Sequence, residues 1–171
     1  MVNLQISETP SFSRLIEKAV ISETSNSAYV EVLNYLNSLN GIESFFFNEF
    51  SPDGKPSNGT KSRKYFTSEN AKKIDAIREK INSWVEKNLI TETEESLLKH
   101  TLIMAVNEVA NISGTYGYFL SEFKKNSLEE IVLKPVTFCV ENPGGHQVKK
   151  GFAEELASDI TADLCYIDPP Y

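Results

Sequence analysis

Leu164-Cys165-Tyr166-Ile167-Asp168-Pro169-Pro170-Tyr171 is an apolar, aromatic run that gives way abruptly to a carboxylate, two prolines and a ring. The first four residues have the character of a short strand covered on both faces, as in a parallel sheet. Neither proline can donate to a ladder, and Pro169 biases Asp168 towards extended backbone, so the chain is expected to leave the sheet at that point. Ligands of open α/β sheets bind at this carboxyl edge, which makes 168–171 the first candidate site.

The same four residues suit an exocyclic amino group on a nucleobase. The Asp168 carboxylate and the Pro169 carbonyl supply two acceptors for its two N–H bonds, and Tyr171 supplies a face for stacking, worth about 1–3 kcal/mol per base on aromatic platforms. Taken as letters alone, they fit a strand ending in a Pro-Pro turn equally well. The hydrophobic run before them favours the site.

The composition is globular, with 40% hydrophobic and 24% charged residues. A net charge of −7 and a pI near 4.9 argue against a general polyanion binder, so any nucleic-acid surface must be local. Cys139 and Cys165 have neither disulfide nor metal-ligand spacing, and reduced thiols in a cytoplasmic protein are expected. No apolar run is long enough for a membrane span, and the N-terminus lacks the apolar core of a signal peptide. No metal site is expected, and neither His100 nor His146 is assigned a role.

Upstream, helices are expected from about Ser11, with Leu15, Ile16, Ala19 and Val20 as the stripe, and over Ser27–Leu39, stopping at Asn40-Gly41. Ile42–Phe50, rich in phenylalanine, reads as a strand. A loop of turn formers follows from Ser51 to Thr60. Lys55, Lys61, Arg63 and Lys64, with Tyr65 and Phe66 beside them and Lys72 and Lys73 beyond, make a local basic and aromatic patch in an acidic chain. A solvated loop with ordinary surface lysines is the alternative reading. Thr67 is placed to cap a helix carrying Ile74, Ile77, Ile81 and Trp84, which should end near Asn88. Thr91-Glu92-Thr93-Glu94 has the spacing of a capping box, so a second helix should pack against it as a hairpin. Asn107 and Asn111, at i and i+4 before Gly114 and Gly117, suggest either a polar channel wall or a helix break satisfied by its own side chains. Ile131–Cys139, Gln147–Lys149 and Asp163–Ile167 read as strands, and Phe152–Leu156 as a helical turn.

Three stretches together resemble the D12 class of N6-adenine DNA methyltransferases, the restriction-modification type. They are Asn48–Pro52 with Arg63–Thr67 and Asn70–Arg78, then Ala110–Gly117, then Asp168–Tyr171. The resemblance implies an α/β protein: a partial Rossmann-like methyltransferase sheet formed by the C-terminal strands, with a mostly helical recognition region. It divides the chain into a helical segment of the core (1–44), a helical DNA-recognition region with the basic loop (45–130), and catalytic-sheet strands (131–171). It implies S-adenosyl-L-methionine as cofactor and double-stranded DNA as partner. Asp168, Pro169, Pro170 and Tyr171 would be the catalytic residues, with Asp168 and the Pro169 carbonyl holding the target amino nitrogen and Tyr171 stacking on a flipped-out adenine. Asp168 is also the residue assigned to the cofactor. Lys55, Lys61, Arg63, Lys64 and Tyr65 are the expected DNA contacts.

The family's glycine-rich cofactor loop does not precede Phe45, and no sheet follows Tyr171 in this sequence. The expectation is therefore an internal portion or split subunit, inactive alone, that completes its sheet with a complementary chain or by self-association. A DNA-binding module without its own catalysis is the alternative function, and an interaction domain with a terminal Pro-Pro turn is a third.

Overall fold

The computed structural model describes residues 26–59, 61–136, 151–158, 161 and 163–164. The chain divides into two compact units, Met1–Val136 and Thr137–Tyr171. In the first unit lie α1 (Asn26–Asn37), α2 (Phe45–Phe50), α3 (Ser68–Glu86), α4 (Glu92–Val109) and a 3-10 turn (Lys125–Leu128). In the second, α5 spans Ala153–Ala157, which agrees with the helical turn expected there.

The hairpin of α3 and α4 forms as its sequence requires. The Thr67 hydroxyl accepts the Asn70 amide to open α3, and Ile74, Ile77, Ile81 and Trp84 are all buried on one side. The helix stops where Asn88 takes a φ of 53°, a left-handed conformation that asparagine tolerates better than most residues. The capping box at α4 is complete: Thr91 accepts the Glu94 amide while the Glu94 carboxylate accepts the Thr91 amide at 2.6 Å. Leu98, Leu102, Ala105 and Val109 then face the core. From α1, Val32, Leu33 and Leu36 join the same cluster, and Tyr35 stacks on Trp84 at 6.0 Å between ring centroids. The Lys73 ammonium donates to the Asn37 and Leu39 carbonyls and so satisfies the C-terminal end of α1.

Two strand expectations fail here for identifiable reasons. Ile42–Phe50 was expected to be extended, yet Phe45–Phe50 is helical. Aromatic residues favour strands only when a pleated neighbour is available. Here the Asp75 carboxylate, projecting from α3, accepts the amides of Ser44 (3.2 Å), Phe46 (2.8 Å) and Phe47 (2.8 Å) and so stabilises a helix N-terminus instead. At the other end of α2, Gly54 packs directly on the helix: a Cβ there would stand 2.1 Å from the Phe47 carbonyl oxygen.

Ile131–Val136 is not part of a strand. Two asparagine side chains take a neighbouring strand's place. Asn70 donates to the Glu129 carbonyl and accepts the Ile131 amide, and Asn37 donates to the Leu133 carbonyl and accepts the Leu133 amide. Ile131 and Leu133 are thereby held in the core.

These findings overturn the α/β expectation. Among the described residues there is no strand and no Rossmann-like sheet, only a single antiparallel bridge between Ile112 and Phe119, and the architecture is helical. Asp163 and Leu164 are not in a strand. The expected helix from Ser11 and the expected strand Gln147–Lys149 lie outside the described residues, as do 137–139 and 165–167 of the other two strands.

Candidate nucleic-acid interface

The expected DNA contacts divide into two groups. Lys55 and Lys61 are exposed and make no hydrogen bond or ion pair with another described residue. Arg63, Lys64 and Tyr65 are half-buried, and each is used within the fold. Arg63 Nη1 reaches the Glu49 carbonyl at 3.2 Å and the Glu49 carboxylate at 3.4 Å. Lys64 Nζ donates to the Ser121 carbonyl at 2.8 Å, and the Tyr65 hydroxyl donates to the Tyr116 carbonyl at 3.0 Å. The basic run is therefore partly neutralised by acids remote from it in sequence. Lys72 pairs with Glu43 at 3.0 Å, a hydrogen bond that holds its ammonium above the usual lysine range. Glu49 is held below the usual carboxylate range, first by hydrogen bonding from Ser57 and more weakly by Arg63.

Asn111 organises the rear of this surface, and its importance was only half visible from the sequence. It is fully buried; its amide nitrogen Nδ2 donates to the Lys64 and Leu120 carbonyls, both at 3.0 Å. Its Oδ1 accepts the Lys124 amide at 3.2 Å, and its backbone amide donates to the Tyr65 carbonyl at 2.8 Å. One side chain thus fixes the 64–65 stretch, the loop to Leu120 and the start of the 3-10 turn. Of the two readings of the asparagine pair, the satisfied helix break describes Asn111. Asn107 instead accepts the Tyr116 hydroxyl at the rim of a groove. Burial raises the Tyr116 phenol above the usual tyrosine range.

That groove, about 610 Å³, is bounded by α2, α3, α4 and the Arg63–Phe66 stretch. A chain of rings runs along its wall: Phe66 to Phe46 (6.0 Å), Phe46 to Phe50 (5.1 Å) and Phe50 to Tyr65 (5.7 Å). Arg78 lies over the Phe46 ring at 5.1 Å and pairs with the buried Asp75 at 3.4 Å. Sequence reading placed Asp75 and Arg78 only within the Asn70–Arg78 stretch of the family resemblance and gave neither a role of its own.

Asp168, Pro169, Pro170 and Tyr171, and with them the only residue assigned to S-adenosylmethionine, lie outside the described residues. Among the described residues no cluster of His, Cys, Asp and Glu is arranged to hold a metal ion, and no helix is long and apolar enough to cross a membrane.

Sequence comparison defines the class. The chain belongs to the D12 class N6 adenine-specific DNA methyltransferases, whose family model matches residues 11–171. Among individual relatives, the type II methyltransferase M.NlaIII of Neisseria lactamica is 40% identical over 109 residues, covering 64% of this chain and 32% of that protein. The modification methylase StsI of Streptococcus sanguinis is 35% identical over 162 residues, covering 95% of this chain and 23% of that protein. The type II methyltransferase M.FokI of Planomicrobium okeanokoites is 41% identical over 112 residues, covering 64% of this chain and 17% of that protein. The chain thus spans about a third or less of the length of these relatives. No solved structure matches it.

Proposed function

We propose that this chain is part of a restriction-modification enzyme that transfers a methyl group from S-adenosylmethionine to N6 of adenine in duplex DNA. The observation that carries the reading is the family match running through residue 171, so that it includes Asp168-Pro169-Pro170-Tyr171. When bound, S-adenosylmethionine supplies an electrophilic methyl group. Asp168 and the Pro169 carbonyl accept the two N–H bonds of the target amine, which orients its nitrogen and raises its electron density. Tyr171 stacks on the adenine once the base has left the duplex. Such catalysis works by positioning and electrostatics, with no protein nucleophile. The helical unit holds the DNA, with the exposed Lys55 and Lys61 among its contacts. In a reconstituted complete enzyme, Asp168→Ala should abolish methylation while leaving DNA retention intact; methylation that survives the change removes Asp168 from the mechanism.

A second reading, a DNA-recognition module without chemistry of its own, draws on the exposure of Lys55 and Lys61. It predicts salt-dependent DNA retention by this chain alone, with no methyl transfer.

A further inference from the structure

We infer that the groove between α3 and α4, lined by residues other than the Asp168–Tyr171 motif, is a nucleotide subsite taking one unstacked deoxynucleotide of the bound DNA. The inference rests on the preceding reading only for the source of that nucleotide. Three properties of the groove support it. Its volume, about 610 Å³, lies within the range of ligand sites, and its wall carries the half-buried rings of Phe46, Phe50 and Tyr65, part of whose surface can cover a base. It is lined by three cations, each paired with a carboxylate: Arg63 with Glu49, Arg78 with Asp75 and Lys99 with Glu95. Its hydrogen-bonding groups are mostly donors. Each guanidinium commits only Nη1 to its carboxylate, so Nε and Nη2 of both arginines have no partner among the described residues. The Asn107 Nδ2 group is in the same state, because Asn107 is engaged through Oδ1 alone.

An apolar partner would leave these donors unmet, at a cost for each one desolvated. A free anion would leave the rings uncovered. A nucleotide satisfies both, with a base against the rings and phosphate oxygens or base acceptors on the guanidinium forks.

The test uses the whole chain, isotopically labelled, titrated separately with dAMP, dCMP, dGMP and dTMP while amide resonances are followed by NMR. Parallel titrations use inorganic phosphate, the unphosphorylated deoxynucleosides, and a short acidic peptide containing phenylalanine. At least one mononucleotide should give saturable shifts at Tyr65, Arg78 and Ile103, with affinity at least tenfold above that of phosphate, nucleoside or peptide. Ile103→Glu puts a carboxylate on an exposed lining position, and Lys99→Gln removes one cation; either should weaken binding at least tenfold with helical circular dichroism unchanged. If Ile103→Glu unfolds the chain, Lys99→Gln decides. Absence of saturable shifts with all four mononucleotides, or equal binding by the folded variants, or tighter binding of the peptide, would overturn the inference. Failure of the methyltransferase reading is seen separately: Asp168→Ala should leave nucleotide shifts untouched while removing methylation from the complete enzyme.

Discussion

The Asp75 carboxylate, buried within α3, accepts the backbone amide of Phe47 at 2.8 Å across 28 positions of sequence. With the Ser44 and Phe46 amides on the same group, this contact accounts for the helicity of a six-residue segment too short to be stable by itself. It also anchors Arg78 over the aromatic wall of the groove.

Asp75→Ala should therefore destabilise the fold by about 3 kcal/mol, since three amides lose a charged acceptor and Arg78 loses its counter-ion. Asp75→Asn keeps one acceptor oxygen but turns an NH2 donor onto backbone amides held by the other, so it should be destabilising as well. Urea unfolding followed by circular dichroism measures both, and a loss below about 0.5 kcal/mol for the alanine variant would refute the capping role.

Asn111→Asp should be worse than Asn111→Ala. Alanine leaves the Lys64 and Leu120 carbonyls and the Lys124 amide without their partner, at about 2–3 kcal/mol in total. Aspartate instead presents a carboxylate to two carbonyl oxygens. Amide hydrogen exchange at Lys124 should accelerate at least tenfold in Asn111→Ala, which alone removes its acceptor, and an unchanged rate there would show that Asn111 does not hold the 3-10 turn in place.

Glu49 links the turn-rich loop to pH. Its proton affinity is lower in the fold than in the unfolded chain, chiefly through Ser57, so its contribution is present above the ordinary carboxylate pKa and is lost as pH falls through the lowered folded value. Protection of the Ser57 amide, which donates to Glu49 at 2.7 Å, should decline on acidification below about pH 4, after correction for intrinsic exchange. In Glu49→Gln that acid-dependent step should disappear.

Lys61→Ala and Arg63→Ala should separate DNA contact from folding. Lys61 is exposed, so its removal should leave the melting temperature unchanged; if Lys61 contacts a phosphate, the slope of log K against log salt should fall by about 1. Arg63 is tied to Glu49, so Arg63→Ala should loosen the loop as well as weaken DNA binding. Retention assays at several salt concentrations, paired with thermal melts, distinguish the two.

What the sequence determined unaided is what near neighbours decide. Thr67 and Thr91 set their helix starts because each cap closes within three residues, and the burial of Ile74, Ile77, Ile81 and Trp84 follows from helical spacing. The family was legible for the same reason: its motifs are short contiguous blocks, and the match covers residues 11–171. Tertiary structure alone decided where backbone groups find partners far along the chain. Phe45–Phe50 is a helix because Asp75 lies beside its first amides, and Ile131 and Leu133 are held outside any strand because Asn70 and Asn37, the latter 96 positions from Leu133, bond to their backbone. The groove likewise depends on the packing of three helices, which brings Arg63 and Arg78 to one aromatic wall from separate segments. Local pattern encodes preference, but a buried amide takes whichever acceptor the packed fold brings within reach.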